Sequence, residues 1–211
     1  IITHDNFYDD ILPLANWKHK KGMRTKVAKL SETGSTATQI RDYIVNAYNN
    51  WQIRPEYILF VGAPNYIPFP MVLGWNSDNY YTNMNADLYN EILSGRLTVH
   101  STTEAQTVVN KILLYERRPN TGDSLWFINA CLIANEDNGI YPPQGDDTVY
   151  WNDVRCAKNL MLSNGYNTID TFSCGLGNGA NDVIQAVNNG RGFVMYRGSG
   201  LNNWWPPFGC N

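Results

Sequence analysis

Three histidines and four cysteines supply the imidazoles and thiols that could serve as base or nucleophile near neutral pH. The histidines stand at 4, 19 and 100, all in the first half, and the cysteines at 131, 156, 174 and 210. No two cysteines are in C-x-x-C spacing, so no zinc site is expected. Cys131 lies in an apolar run and reads as a small core residue. Each histidine reads as a surface or structural residue. Disulfides remain open. Asp78, Asp87 and Glu91, with Asn79, Asn83 and Asn85, gather hard oxygen donors of the kind that hold Ca²⁺. Their spacing is not that of an EF-hand, and a hydrated loop is the plainer reading. No other cofactor is expected.

A further candidate is Gly175-Leu176-Gly177-Asn178-Gly179-Ala180, which fits G-x-G-x-x-A between a strand and a helix. Two features argue against a dinucleotide site. The loop follows the second strand of its half, whereas that fingerprint belongs to the first βα turn. The next strand ends in Arg197-Gly198, not in an acid that could hold a ribose. A flexible strand-to-helix connection is expected instead.

The elements that position these residues follow from periodicity. Asn6 to Lys21 is a helix with Ile11, Leu14, Ala15 and Lys18 on one face, stopped by Gly22. Arg24 to Leu30 alternates and reads as a strand. Ser35 is expected to cap a helix carrying Ile40, Tyr43, Ile44, Ala47 and Tyr48. Tyr57 to Gly62 is a continuous apolar run, as in a central parallel strand. Ile1-Ile2-Thr3 reads as the end of a strand, so residues upstream of Ile1 are expected. A helix runs from about Thr103 to Arg117, and Pro119 to Gly122 is a boundary. Beyond it come a strand over Leu125 to Ala134, a helix over Val149 to Asn164, a strand over Thr168 to Phe172, a helix over Asn181 to Asn188 and a strand over Phe193 to Tyr196.

This alternation predicts an α/β protein of two adjacent three-layer halves with mostly parallel sheets, residues 1–120 and 121–211. With 211 residues, 43% apolar and 17% charged, the chain can bury a sizeable core. Its net charge is −3, and its one basic run, Lys18-His19-Lys20-Lys21, reads as a solvated helix end, so no nucleic-acid partner is expected. No apolar stretch approaches the roughly 18 residues of a membrane span.

Four stretches together resemble the gingipain family of cysteine peptidases. They are Trp17-Lys18 through Ile44; Tyr57-Ile58-Leu59-Phe60-Val61-Gly62; Ser77-Asp78-Asn79-Tyr80-Tyr81 with Gly95-Arg96-Leu97 and Val109 to Glu116; and Gly192 to Gly200. The resemblance implies a domain of two halves, the second caspase-like, and a secreted or cell-surface endopeptidase acting on proteins or peptides. In the family a base histidine sits in a His-Gly pair after a strand, and the nucleophilic cysteine follows the next strand. Here the motif stands as Tyr196-Arg197-Gly198-Ser199-Gly200, with Ser199 at the histidine position. A hydroxyl cannot act as a base as imidazole does. No apolar strand precedes Cys210, so it is not expected to be the nucleophile.

By the same resemblance Glu136 occupies the place of an acid that orients the histidine, although a loop carboxylate in water is the plainer reading. Asp147, with Asp146, stands near the aspartate that reads a basic P1 side chain. Two Asp before a helix also make an N-terminal cap. The candidate site is therefore Glu136, Gly198, Ser199 and Gly200 at one sheet edge, with Asp147 for substrate. These residues alone are expected not to cut peptides. A non-catalytic relative that binds in surface assembly is the alternative. A generic nucleotide-binding protein is disfavoured by the glycine loop.

Overall fold

A computed structural model describes residues 1–72, 74–85, 87, 89–117, 122, 124–136, 145 and 147–198. The chain divides into two compact units, Ile1–Pro119 and Asn120–Asn211.

The first unit runs β1 (Ile2–Thr3), a 3₁₀ turn (Asp5–Phe7), α1 (Tyr8–Lys20), β2 (Ala28–Lys29), α2 (Leu30–Thr33), α3 (Ala37–Asn50), β3 (Tyr57–Val61), β4 (Met71–Val72), β5 (Trp75–Asn76), α4 (Asn79–Thr82), β6 (Leu93–Leu97) and α5 (Thr102–Arg117). Its main sheet has the order β2-β1-β3-β6 and is parallel throughout. β4 and β5 form a short antiparallel ribbon. β3 shows why an unbroken apolar run suits a central strand. Ile58 and Phe60 point into a core with Ile40 and Ile44 of α3. Leu59 and Val61 point the other way, to Ile11 and Leu14 of α1 and Val109 and Leu113 of α5. Period-two alternation thus feeds two cores, and the unit has three layers.

Three sequence expectations are corrected here. The cap of α3 is Thr36, not Ser35: the Thr36 hydroxyl accepts from the Gln39 N–H at 3.3 Å, and Gln39 Oε1 accepts from the Thr36 N–H at 3.2 Å. Only Thr36 stands three residues before the Gln that closes this capping box. The strand expected over Arg24 to Leu30 shrinks to Ala28–Lys29, because β1 offers it only two paired residues and Leu30 turns into α2. The basic run is not merely solvated. Lys18 and Lys21 bind Glu116 at 2.5 and 3.1 Å, and Trp17 Nε1 donates to the same carboxylate at 2.8 Å, which ties α1 to α5.

The second unit runs from a 3₁₀ turn (Leu125–Ile128) through β7 (Asn129–Ala134), α6 (Asp147–Ser163), β8 (Thr168–Phe172) and α7 (Ala180–Asn188) to β9 (Phe193–Arg197). The sheet order is β8-β7-β9, again all parallel. All six residues of β7 are buried. Ala130, Leu132 and Ala134 face Trp151 and Val154 of α6, while Cys131 and Ile133 face Ala186 of α7. This is the expected mixed α/β architecture, with the first strand central in both sheets and the second and third strands on either side of it. The ten-residue strand expected from Leu125 is shorter. β8 and β9 pair from Asn129 and Ala130 onward, so the preceding residues have no partner strand and coil into a turn. α6 begins at Asp147, not Val149, which puts an acid in its first turn, where the helix dipole favours it.

Candidate active site

β7 and β9 are parallel, with Ala134 opposite Arg197, so the residues just beyond both strands share the carboxyl edge of the sheet. The Asn135 N–H extends the ladder, donating to Arg197 O at 2.9 Å. The Tyr196 hydroxyl donates to Asn135 Oδ1 at 2.9 Å. Gly198 follows directly. A β-carbon there would fall 2.9 Å from Asn135 Cγ and 2.8 Å from the Tyr196 hydroxyl, so only glycine lets the two loops pass. Glu136 and Gly198 therefore lie at one edge. Ser199 and Gly200 lie outside the described residues, as do Asp146 and Cys210.

Glu136 is not a loop carboxylate in water. It is fully buried. Trp151 Nε1 on α6 donates to its Oε1, and the Gly175 N–H donates to its Oε2. A buried carboxylate needs such donors, and both come from elements that flank β7. Gly175 is glycine for the same reason that Gly198 is. Its β-carbon would sit 2.9 Å from the Glu136 carboxyl carbon.

The glycine-rich loop is held rather than flexible. Gly177 N–H donates to Cys174 O at 2.8 Å, Asn178 N–H to Ser173 O at 3.1 Å, and Leu176 N–H to Ser173 Oγ at 3.2 Å. Its glycines serve a close approach to Glu136 and a turn at Gly177 with φ of 77°.

Asp147 is buried and shares the inner stripe of α6 with Trp151 and Val154, at i, i+4 and i+7. At the exposed rim, Arg197 pairs with Asp153 at 2.6 Å and lies over the Tyr150 ring. Trp151, Gly175, Asn135 and Tyr196 are the site residues that sequence reasoning missed. Trp151 had a signal, since it lies one turn after Asp147 on the apolar face.

The first unit repeats part of this device. Asp5 stands two residues past β1 and accepts from the Ser31 N–H, two residues past β2, at 3.0 Å. Glu136 likewise stands two residues past β7 and holds an N–H beyond β8. In both sheets an acid after the first strand ties down the segment that follows the second.

Among the described residues, the cysteines and histidines are placed as follows. Burial pushes the Cys131 thiol up to about 11, which keeps it protonated and unreactive near neutral pH. Cys156 is exposed on α6, and Cys174 is buried and disulfide-bonded. His4 Nδ1 accepts from the Asn6 N–H at 3.2 Å, and its ring meets Tyr66 edge-on. His19 and His100 are exposed. In the oxygen-rich loop, Asp78 takes Arg96 in a two-point pair at 2.9 and 2.6 Å. Glu91 accepts from the Met84 N–H and the Asn85 side chain, both at 2.6 Å. Among the described residues no three His, Cys, Asp or Glu side chains converge as metal ligands would. Nor is any described helix long and apolar enough to cross a membrane.

Two parallel-stranded α/β units, the second with its polar groups gathered at one carboxyl edge, define the class as a caspase-like α/β fold. The family model for peptidase family C25 matches residues 1–209, and the chain belongs to that family of cysteine peptidases. Gingipain R2 of Porphyromonas gingivalis is 29% identical over 209 residues, covering 97% of this chain and 28% of that protein. Lys-gingipain of the same organism is 24% identical over 212 residues, covering 97% of this chain and 12% of that protein. Among solved structures, the Arg-specific cysteine proteinase gingipain R (RgpB) superposes with a TM-score of 0.82 at 27% identity. It is covered to 47%, so the chain spans about half of that structure. A complex of the RgpB pro- and mature domains matches equally, with a TM-score of 0.82.

Proposed function

We propose that these residues form part of a gingipain-type cysteine endopeptidase domain, working outside the cell or at its surface on protein or peptide substrates. The carboxyl edge of the second sheet is the rim that meets the substrate. Glu136 is anchored there by Trp151 and Gly175, at the edge it shares with Gly198. Backbone N–H groups just past a strand end can help bind an oxyanion. Asp147, at the head of α6, is the acid suited to a basic P1 side chain. No cofactor is needed by this chemistry.

The single observation behind this reading is the buried carboxylate at the rim: Glu136, held by Trp151 and Gly175, lies at the carboxyl edge that it shares with Gly198.

The chain alone should be inactive, because a serine stands at 199 and every histidine lies in the first unit. The test is incubation of the purified 211-residue protein with Arg, Lys and Ala reporter peptides. No thiol-dependent turnover is expected. Turnover abolished by Cys210→Ala would overturn the proposal. Ser199 itself favours a second role, a relative that binds peptides without cutting them. Peptide binding by a longer form that still fails to cleave would support that role.

A further inference from the structure

A cavity of about 510 Å³ opens at the carboxyl edge of the first sheet. Topology puts it there. β1 has β2 on one side and β3 on the other. The chain leaving β1 turns to one face, where Phe7, Ile11 and Leu14 pack. The chain leaving β2 turns to the opposite face, where Leu30, Ile40 and Ile44 pack. Neighbouring strands whose continuations part in this way leave a crevice beyond their carboxyl ends, and open α/β sheets bind ligands in such crevices. Three loops line this one, through His4 and Asp5 after β1, Ser31 and Ser35 after β2, and Asn65 and Tyr66 after β3.

Several of these groups are held in place by the fold itself. The Asp5 carboxylate accepts from the Ser31 N–H at 3.0 Å, which joins the first loop to the second. The Ser31 side chain, and behind it the charge of Lys29, hold the Asp5 carboxyl below its ordinary value, so it is ionised near neutral pH. His4 Nδ1 accepts from the Asn6 N–H at 3.2 Å, so the neutral ring carries its proton on Nε2. Tyr66 is pinned twice. Its hydroxyl donates to His100 O at 3.0 Å, and its ring meets those of His4 and Phe7 edge-on, with centroids 4.7 and 4.9 Å away. Ser31, Ser35 and Asn65 are exposed, and Leu30, Pro64 and Pro68 supply apolar wall.

The mixture of groups selects the ligand. Among the described residues that line the cavity, Asp5 is the one carboxylate. A phosphate would meet that negative charge. An organic cation would find it already offset by Ser31 and Lys29, and would leave the hydroxyls and the amide unused. A neutral ring bearing several hydroxyls uses them all. Its O–H groups donate to Asp5, accept from His4 Nε2–H and the Asn65 amide, and exchange bonds with Ser31 and Ser35. Its C–H surface rests on Pro64, Pro68 and Tyr66. Few polar groups set in an apolar wall are the usual make-up of a small-molecule site. We infer that this crevice binds a single neutral sugar ring, a reading that does not rest on the rim of the second sheet.

The test is an amide NMR titration of the 211-residue protein with methyl pyranosides of glucose, galactose, mannose and N-acetylglucosamine. Inorganic phosphate and methylamine are the charged comparators. At least one pyranoside should give saturable shifts at Ser31, Ser35 and Asn65 with a millimolar Kd. Asp5→Asn keeps an acceptor for the Ser31 N–H and should weaken that binding about tenfold. Asn65→Ala, a change on an exposed loop, should weaken it several-fold. Phosphate and methylamine should leave the three amides where they are. No saturable shift from any pyranoside at about 100 mM would overturn the inference, since affinity would then lie beyond the millimolar range. So would equal shifts from phosphate or methylamine, or pyranoside binding that neither substitution weakens.

Discussion

Trp151→Phe isolates one donor of the buried carboxylate and keeps most of the ring. In the native protein Glu136 is fully buried, with one oxygen held by the Trp151 indole and the other by the Gly175 N–H. Removing the indole N–H leaves Oε1 in the interior without that donor. A hydrogen bond to a charged group contributes about 1.5–3 kcal/mol, and the unsatisfied acceptor costs a similar amount. A loss of about 2 kcal/mol is expected, or about 10 °C in the Tm of a unit this size. Glu136→Gln should cost about as much, because its amide must point one N–H group at another donor. In the double variant the Trp151→Phe step should cost far less, for a coupling of about 1–2 kcal/mol. Urea unfolding followed by circular dichroism gives all four corners of the cycle. Additivity within about 0.5 kcal/mol would show that the indole and the carboxylate do not act on one another, and the anchoring of Glu136 would have to be rejected.

Lys18, ahead of Trp17 and Lys21, holds the Glu116 carboxyl down to about 2 from an ordinary 4.5. A carboxyl depressed in the folded state gives stability that is fully present above pH 4.5 and is lost as pH falls toward 2. Thermal scans across that window should show a drop of about 1 kcal/mol that Glu116→Gln abolishes; an unchanged drop refutes the assignment. Arg96→Lys removes a two-point pair with Asp78 and bonds to the carbonyls of Gly62 and Ile67 at 2.9 and 3.0 Å, so a loss of about 3 kcal/mol is expected in denaturant titrations. A cost below about 1 kcal/mol would show the site to be slack. Gly175→Ala should destabilise the second unit by about 2 kcal/mol, since its methyl meets the Glu136 carboxyl group, and a neutral result would mean the loop can move away. Added Ca²⁺ should leave Tm unchanged, because Arg96 occupies Asp78 and loop N–H groups occupy Glu91; a rise with Ca²⁺ contradicts that.

Much of the fold could be read from the order of residues because its strands are buried on both faces. Tyr57 to Val61 and Ala130 to Ala134 are apolar without interruption, a pattern that the parallel α/β arrangement explains. Strand ends were less legible. Leu125 to Ile128 continue the apolar run yet coil, because strand length is set by the neighbours β8 and β9 and not by local preference. The site divides in the same way. That Glu136 and Gly198 share an edge followed from two parallel strands. That Glu136 is dry depends on Trp151, fifteen residues away, and Gly175, thirty-nine away. Such contacts leave no periodic trace, and the glycine of Gly175 only looked like a phosphate loop.

The most direct test of the proposed rim is a titration of the 211-residue protein with an Arg-containing reporter peptide, followed by amide NMR. Millimolar affinity is enough to be seen this way. The predicted result is a set of shifts concentrated at Asn135, Glu136, Gly175 and Gly198, weakened by Asp147→Asn and weaker for an Ala peptide. Shifts that spare this edge and gather elsewhere, or none at saturating peptide, would contradict the assignment of the second sheet's carboxyl edge as the place where a substrate is met.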